Sequence, residues 1–182
     1  MNPLFDAFIK DYKEIKSLLL LQSELSFQTT IDAHFRKTFL ISCASYHEHL
    51  IQNLITDFLK KSMDDSRALS FAVNKGIKRQ YHTYFTWDKD GKIPNNVNGF
   101  LGLFGETFKK TVSNEIANTE TIKSNMKAFL ELGNLRNLMA HENLLAFNLE
   151  KTFDELIAMN GQALEFISFM ESKLNGDVTQ IE

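Results

Sequence analysis

Apolar side chains recur at three- and four-residue steps along almost the whole chain, with very little to interrupt them. Phe5, Phe8, Ile9, Tyr12, Ile15, Leu18 and Leu19 open the pattern. That spacing draws one apolar stripe down an α-helix of 3.6 residues per turn. Only two prolines and eight glycines punctuate the 182 residues, and no strand-like alternation of useful length occurs. The chain is therefore expected to be all-α, a bundle of five to six helices with long neighbours running antiparallel. Its length suits one domain over residues 1–182, with a tail that frays from about 176.

Local signals place the helices. Asn2-Pro3 reads as a cap followed by proline at the first helical position, opening a helix to about Leu25. Thr29-Thr30-Ile31-Asp32 looks like a second start, and the apolar series from Phe35 to Leu59 carries that helix to about Ser62. Asp64-Asp65-Ser66 offers another cap for a helix from Arg67 to about Phe85. That helix holds the densest basic run, Arg67, Lys75, Lys78 and Arg79, which reads as a solvated face in preference to an RNA-contacting one. Trp87 to Gly99 carries turn signals at Asp90-Gly91, Pro94 and Asn95-Asn96. The glycine-spaced run from Gly99 to Gly105 lacks the polar flanks of a phosphate loop; a short, tightly packed helix fits it. Thr119-Glu120-Thr121 starts another helix, with Ile122, Met126, Phe129, Leu132, Leu135 and Met139 along one face. Asn148 is expected to cap the last helix, which bends at Asn160-Gly161 and stops at Asn175-Gly176.

Composition narrows the function. A single cysteine, Cys43, allows no intramolecular disulfide and suits a reducing, cytoplasmic setting. Its apolar surroundings imply burial without reactivity. No apolar run nears the roughly 20 residues that a membrane helix needs, and the N-terminus lacks a basic region followed by an apolar signal core, so secretion is not expected. A net charge of −3 argues against broad electrostatic binding of nucleic acid while leaving room for a local basic site. Sixteen phenylalanines read as packing.

One stretch concentrates polar chemistry among leucines: Leu132-Gly133-Asn134-Leu135-Arg136-Asn137-Leu138-Met139-Ala140-His141-Glu142. An arginine can clamp a phosphate with its planar fork, and a histidine can move a proton near neutrality. The spacing alone is weak, since four arginines and five histidines would give such a pair by accident in about a tenth of chains. The amide after the arginine, the leucines between, and the place in the penultimate long helix strengthen it.

With that context, Arg136-Asn137-Leu138-Met139-Ala140-His141 resembles the R-x4-H signature of the HEPN superfamily of small α-helical domains. The order of helices is similar to the RiboL-PSP-HEPN type. The resemblance implies a HEPN-like bundle, a homodimer with both motifs lining one cleft, and metal-independent endoribonuclease activity with no cofactor. It also implies the parts that Arg136, Asn137 and His141 would take in cleaving RNA by 2′-hydroxyl attack. A toxin–antitoxin or anti-phage defence role, with a cognate antitoxin or defence-system protein as partner, belongs to the same implication. The alternative is a non-catalytic HEPN-like interaction or nucleotide-binding module. A plain structural bundle would instead pair Arg136 with a buried carboxylate and hydrogen-bond His141 to a carbonyl at a helix end.

Helix geometry adds a constraint. At about 100° per residue, Arg136 and His141 lie some 140° apart, whereas Asn137 and His141 share a face. The helix must end or distort near Ala140, or the site must be shared between two chains. His47-Glu48-His49 fails as a metal site, because histidines two apart on a helix point about 200° apart. Glu48, or one of these histidines, is instead a candidate to reach across the bundle and fix the fork of Arg136.

Overall fold

The computed structural model describes residues 2–87 and 96–176. Helix α1 spans Pro3–Leu21, with the Asn2 side chain accepting from the Leu4 N–H. It ends four residues earlier than its apolar pattern suggests, because the chain turns at Ser23, whose φ of 61° is left-handed. The next helix, α2 (Leu25–Ser62), therefore also starts early, with Glu24 at its cap and no side-chain cap bond. Thr29 and Thr30, read as a start, lie inside it, their hydroxyls donating to the carbonyls of Leu25 and Ser26.

Asp65 caps α3 (Ser66–Phe71) by accepting from the Arg67 N–H. The rod continues through a π-helical segment, Ala72–Ile77, into α4 (Lys78–Tyr84). A regular helix was expected throughout; the π segment holds wider turns that apolar spacing does not announce. Thr86 and Asn96 then pair as an isolated antiparallel bridge. The turn signals at Asp90-Gly91, Pro94 and Asn95 lie outside the described residues, as does the expected fraying of the tail.

The short helix α5 (Asn98–Gly102) packs against α4 as its glycine implies: a Cβ at Gly99 would stand 3.0 Å from the Tyr84 carbonyl oxygen. Gly105, at a φ of +97°, breaks the chain before α6 (Glu106–Asn118). That break makes two helices where a single short one was expected. Helix α7 (Glu120–His141) follows Thr119, and α8 (Phe153–Asn175) closes the fold. The cap of α8 is Thr152, not Asn148. Thr152 accepts from the Glu155 N–H while Glu155 accepts from the Thr152 N–H, a reciprocal arrangement that Asn148 has no acid to complete. Helix α8 runs unbroken through Asn160-Gly161. Counting α3, the π segment and α4 as one rod, seven rods stand among the described residues, all helical.

Helix α7 packs along α8, and α2 packs against both. Phe39, Leu40, Ile51, Phe129, Leu132, Leu156, Phe166 and Met170 are almost wholly buried in one connected cluster. Each such side chain contributes about 1.5–3 kcal/mol on leaving water. Phenylalanines meet ring to ring through this core, Phe129 touching both Phe85 and Phe166. Cys43 is fully buried, and burial pushes its thiol pKa up, leaving no thiolate to react. Among the described residues no helix is long and apolar enough to cross a membrane.

Two polar groups sit in this core. His47 of α2 and Asn160 of α8 are 1% and 0% exposed, with His47 Nε2 2.9 Å from Asn160 Oδ1. Asn160 is thus buried as a partner, in place of the bend expected there. Burial, partly offset by the bond to Asn160, pushes the His47 pKa down to about 4. The unfolded histidine titrates near 6.5. Between those values the unfolded chain binds more protons, so stability falls as pH drops. From pH 7.5 to 5, wild type should lose about 2 kcal/mol more unfolding free energy than a His47→Leu, Asn160→Leu double variant. Urea titrations of both at each pH measure it, and parallel profiles would refute the assignment.

Candidate active site

The last two turns of α7 carry the motif, and the helix's buried face decides where each motif side chain goes. Leu132 and Met139 point into the core. At about 100° per residue, Arg136 lies about 40° from the direction of Leu132 and His141 about 180° from it. Arg136 is accordingly half-buried, its side chain 28% exposed, while His141 is exposed. Asn137 falls between them and is also partly buried.

Arg136 faces α2. Its Nη2 donates to Glu48 Oε2 across 3.0 Å, and Glu48 Oε1 also accepts from Gln52 Nε2 at 3.2 Å. The Nε of Arg136 is buried with no hydrogen-bond partner among the described residues. The three residues His47-Glu48-His49 thus divide by helix geometry. His47 enters the core, Glu48 meets the motif arginine, and His49 bonds Asn53 on the surface.

His141 is the final residue of α7 and makes no side-chain hydrogen bond to any described residue. Helix α7 stays α-helical up to His141, and no bond joins His141 to Arg136 within the chain. The Glu142 N–H donates to the Leu138 carbonyl, and the chain then turns away. The connection from 142 to 152 is clamped to α2. Lys37 donates to the carbonyls of Leu144 and Leu145, and Arg36 donates to those of Leu149 and Lys151. Asp32 holds Arg36 in place at 2.9 Å. Sequence reading missed these clamps; the Asp32–Arg36 spacing signals an ion pair within one helix, with nothing to reveal the distant carbonyls.

The model of the RiboL-PSP-HEPN family matches residues 6–176. The chain belongs to the RiboL-PSP-HEPN family. The match takes in every helix that builds the site and carries the likeness far beyond the six motif residues. No curated protein and no solved structure matches it.

In this RiboL-PSP-HEPN chain the motif helix is also braced from outside. A Cβ on Gly133 would lie 2.4 Å from Cη2 and 2.5 Å from Cζ3 of Trp87, so the indole rests where a side chain would be. Trp87 thereby presses on α7 one turn before Arg136. A recess of about 230 Å³ opens beside Arg136, walled by Glu48, Lys78, Arg79, Tyr81 and His82. A larger cavity, about 460 Å³, lies at Tyr12, Lys16, Asp32 and Arg36. We discount it as a site, because its charged groups are occupied with one another: Tyr12 donates to Asp32, which also pairs with Lys16 and Arg36.

Gly133→Ala should cost about 1–3 kcal/mol by overpacking. Trp87 is the only tryptophan, so its emission should shift to longer wavelength as the indole is displaced. An unchanged spectrum and unchanged melting would show that Trp87 does not brace α7.

Proposed function

We propose that this protein is a metal-independent endoribonuclease whose site is completed across a homodimer. The observation that carries the reading is the end of α7. There an exposed, unpartnered His141 follows a half-buried Arg136 that a carboxylate holds in place, within a chain of a HEPN-type family.

His141 takes the proton from a ribose 2′-hydroxyl, whose oxygen bonds to the adjacent phosphorus. The bond from phosphorus to the 5′-oxygen breaks, and that oxygen takes a proton from the partner copy's histidine or from water. The products are a 2′,3′-cyclic phosphate and a free 5′-hydroxyl. Arg136 meets the charge that grows on the phosphoryl oxygens, the electrostatic contribution that is usually largest. Asn137 orients the phosphate or holds the histidine tautomer, and Glu48 positions the arginine fork.

Two features support the shared site. A regular helix keeps Arg136 and His141 about 140° apart within one chain. Exposed apolar side chains also follow His141, with Leu144 42% and Leu145 75% exposed, and Ile41, one turn along α2 from the Lys37 that holds them, is 38% exposed. A two-fold dimer through that region would bring both histidines toward its axis. The biological setting we favour is a toxin–antitoxin or anti-phage system in the cytoplasm, where a cognate protein would restrain the nuclease. One observation favours the second reading, a non-catalytic interaction or nucleotide-binding module: Glu48 already balances the charge of Arg136.

With EDTA present, wild type should cut total RNA or a tRNA pool, and His141→Ala should lower the rate by about 10²–10⁴, the contribution of a proton-transfer group. Equal rates in the two proteins would sink the assignment, and no cleavage by either would move the weight to the binding module. Mixing Arg136→Ala with His141→Ala subunits tests the sharing. Random pairing gives half mixed dimers, each with one intact pair, so about a quarter of wild-type activity should return. A site within one chain would leave every mixture dead.

A further inference from the structure

Besides Arg136 and Glu48, the recess is lined by charges that the proposed chemistry does not use. Lys78, Arg79 and His82 come from α4, and Arg136 and Glu48 from α7 and α2. Lys78 and Arg79 are exposed and form no ion pair among the described residues. Among the described residues Glu48 is the only carboxylate in the lining, and it is engaged by Arg136 and Gln52. Three permanent cations therefore face one anion, on a chain whose net charge is −3. That is a local reversal of sign.

The deeper wall offers a neutral donor. Tyr81 is only 4% exposed, and its hydroxyl makes no hydrogen bond to any described residue. Burial pushes its pKa up, with Arg136 pulling the other way, so the hydroxyl keeps its proton and remains a donor. An anion entering the recess would offer that hydroxyl an acceptor.

We propose that this recess is a subsite for a phosphodiester of the RNA strand, next to the one being cut and sharing Arg136 with it. The proposal rests on the ribonuclease reading for its choice of ligand. RNA carries a phosphate at every residue, so a strand laid across Arg136 must place a neighbouring phosphate on one side or the other. The recess lies on the α4 side, where Lys78 and Arg79 give charge and Tyr81 gives a hydrogen bond. The basic run that sequence reading assigned to solvent is then split. Arg67 pairs with Asp65 on the surface, while Lys78 and Arg79 turn to the site.

The test is binding of a fluorescent, fully 2′-O-methylated single-stranded oligonucleotide, which cannot be cleaved because its attacking hydroxyl is blocked. Affinity is measured over a range of salt for wild type, a Lys78→Ala, Arg79→Ala double variant, and a Lys10→Ala, Lys13→Ala control on α1. Loss of two phosphate contacts should weaken binding about tenfold and flatten the log–log salt slope by about 1.4. The Lys10, Lys13 control should bind as wild type does. An unchanged slope in the Lys78, Arg79 variant, or no salt-dependent binding by wild type, would overturn the subsite. Equal competition by millimolar inorganic phosphate would overturn its assignment to an RNA strand. If natural RNA is not cut yet this binding holds, the catalytic reading fails and the subsite stands; cleavage with unaltered binding by the variant gives the reverse.

Discussion

The geometry of the candidate site depends on how α7 is buried. Leu132 and Met139 lock its rotation against α2 and α8, and once that rotation is set the motif has no freedom of its own. Arg136 must lie at the edge of the core and His141 in water. The buried His47–Asn160 pair ties α2 to α8 at the same level of the bundle, so the strand of packing that aims Arg136 contains a polar bond as well as apolar contact. A buried polar pair is costly unless geometry is kept, which makes it a device for holding register more than for adding stability.

Seen this way, the Arg136–Glu48 pair is a positioning contact. Both side chains keep about a third of their surface in solvent, at 28% and 34%, and pairs of that kind contribute roughly 0–1 kcal/mol to folding. What the pair does is restrict a long, flexible side chain to one orientation. The clamps from Arg36 and Lys37 act similarly on the other half of the motif. They fasten the backbone just past His141 to the same helix that carries Glu48. Helix α2 is thus the common reference for the two functional groups, although neither belongs to it.

How much of this was legible in the sequence follows from the range of each interaction. Helix type and most helix ends were readable, because apolar spacing and caps such as Asn2 and Asp65 act within a few residues. The motif was readable through its family likeness, and Glu48 only as one of three neighbouring residues on α2 that could meet Arg136. The early end of α1 at Ser23, the separation of α5 from α6 at Gly105 and the cap at Thr152 were missed, since each turns on a backbone angle or a reciprocal bond that several nearby residues could equally supply. The fit of Trp87 onto Gly133, the burial of Asn160 and the recess at Lys78 and Arg79 join residues far apart in the chain. Nothing local marks them.

The π-helical segment from Ala72 to Ile77 has a consequence for how this architecture could vary among relatives. A π turn accommodates one residue more than the α turn it replaces, so it is the signature of an insertion that the helix absorbed without breaking. Deleting one residue there would let the turns tighten to α while everything downstream kept its direction. Tyr81 and Tyr84 would stay in the core and the cations of α4 beside Arg136, whereas the same deletion in an α-helical part of the rod would turn them away by about 100°. The segment is therefore the place where lineages could gain or lose a residue without rebuilding the α4 wall.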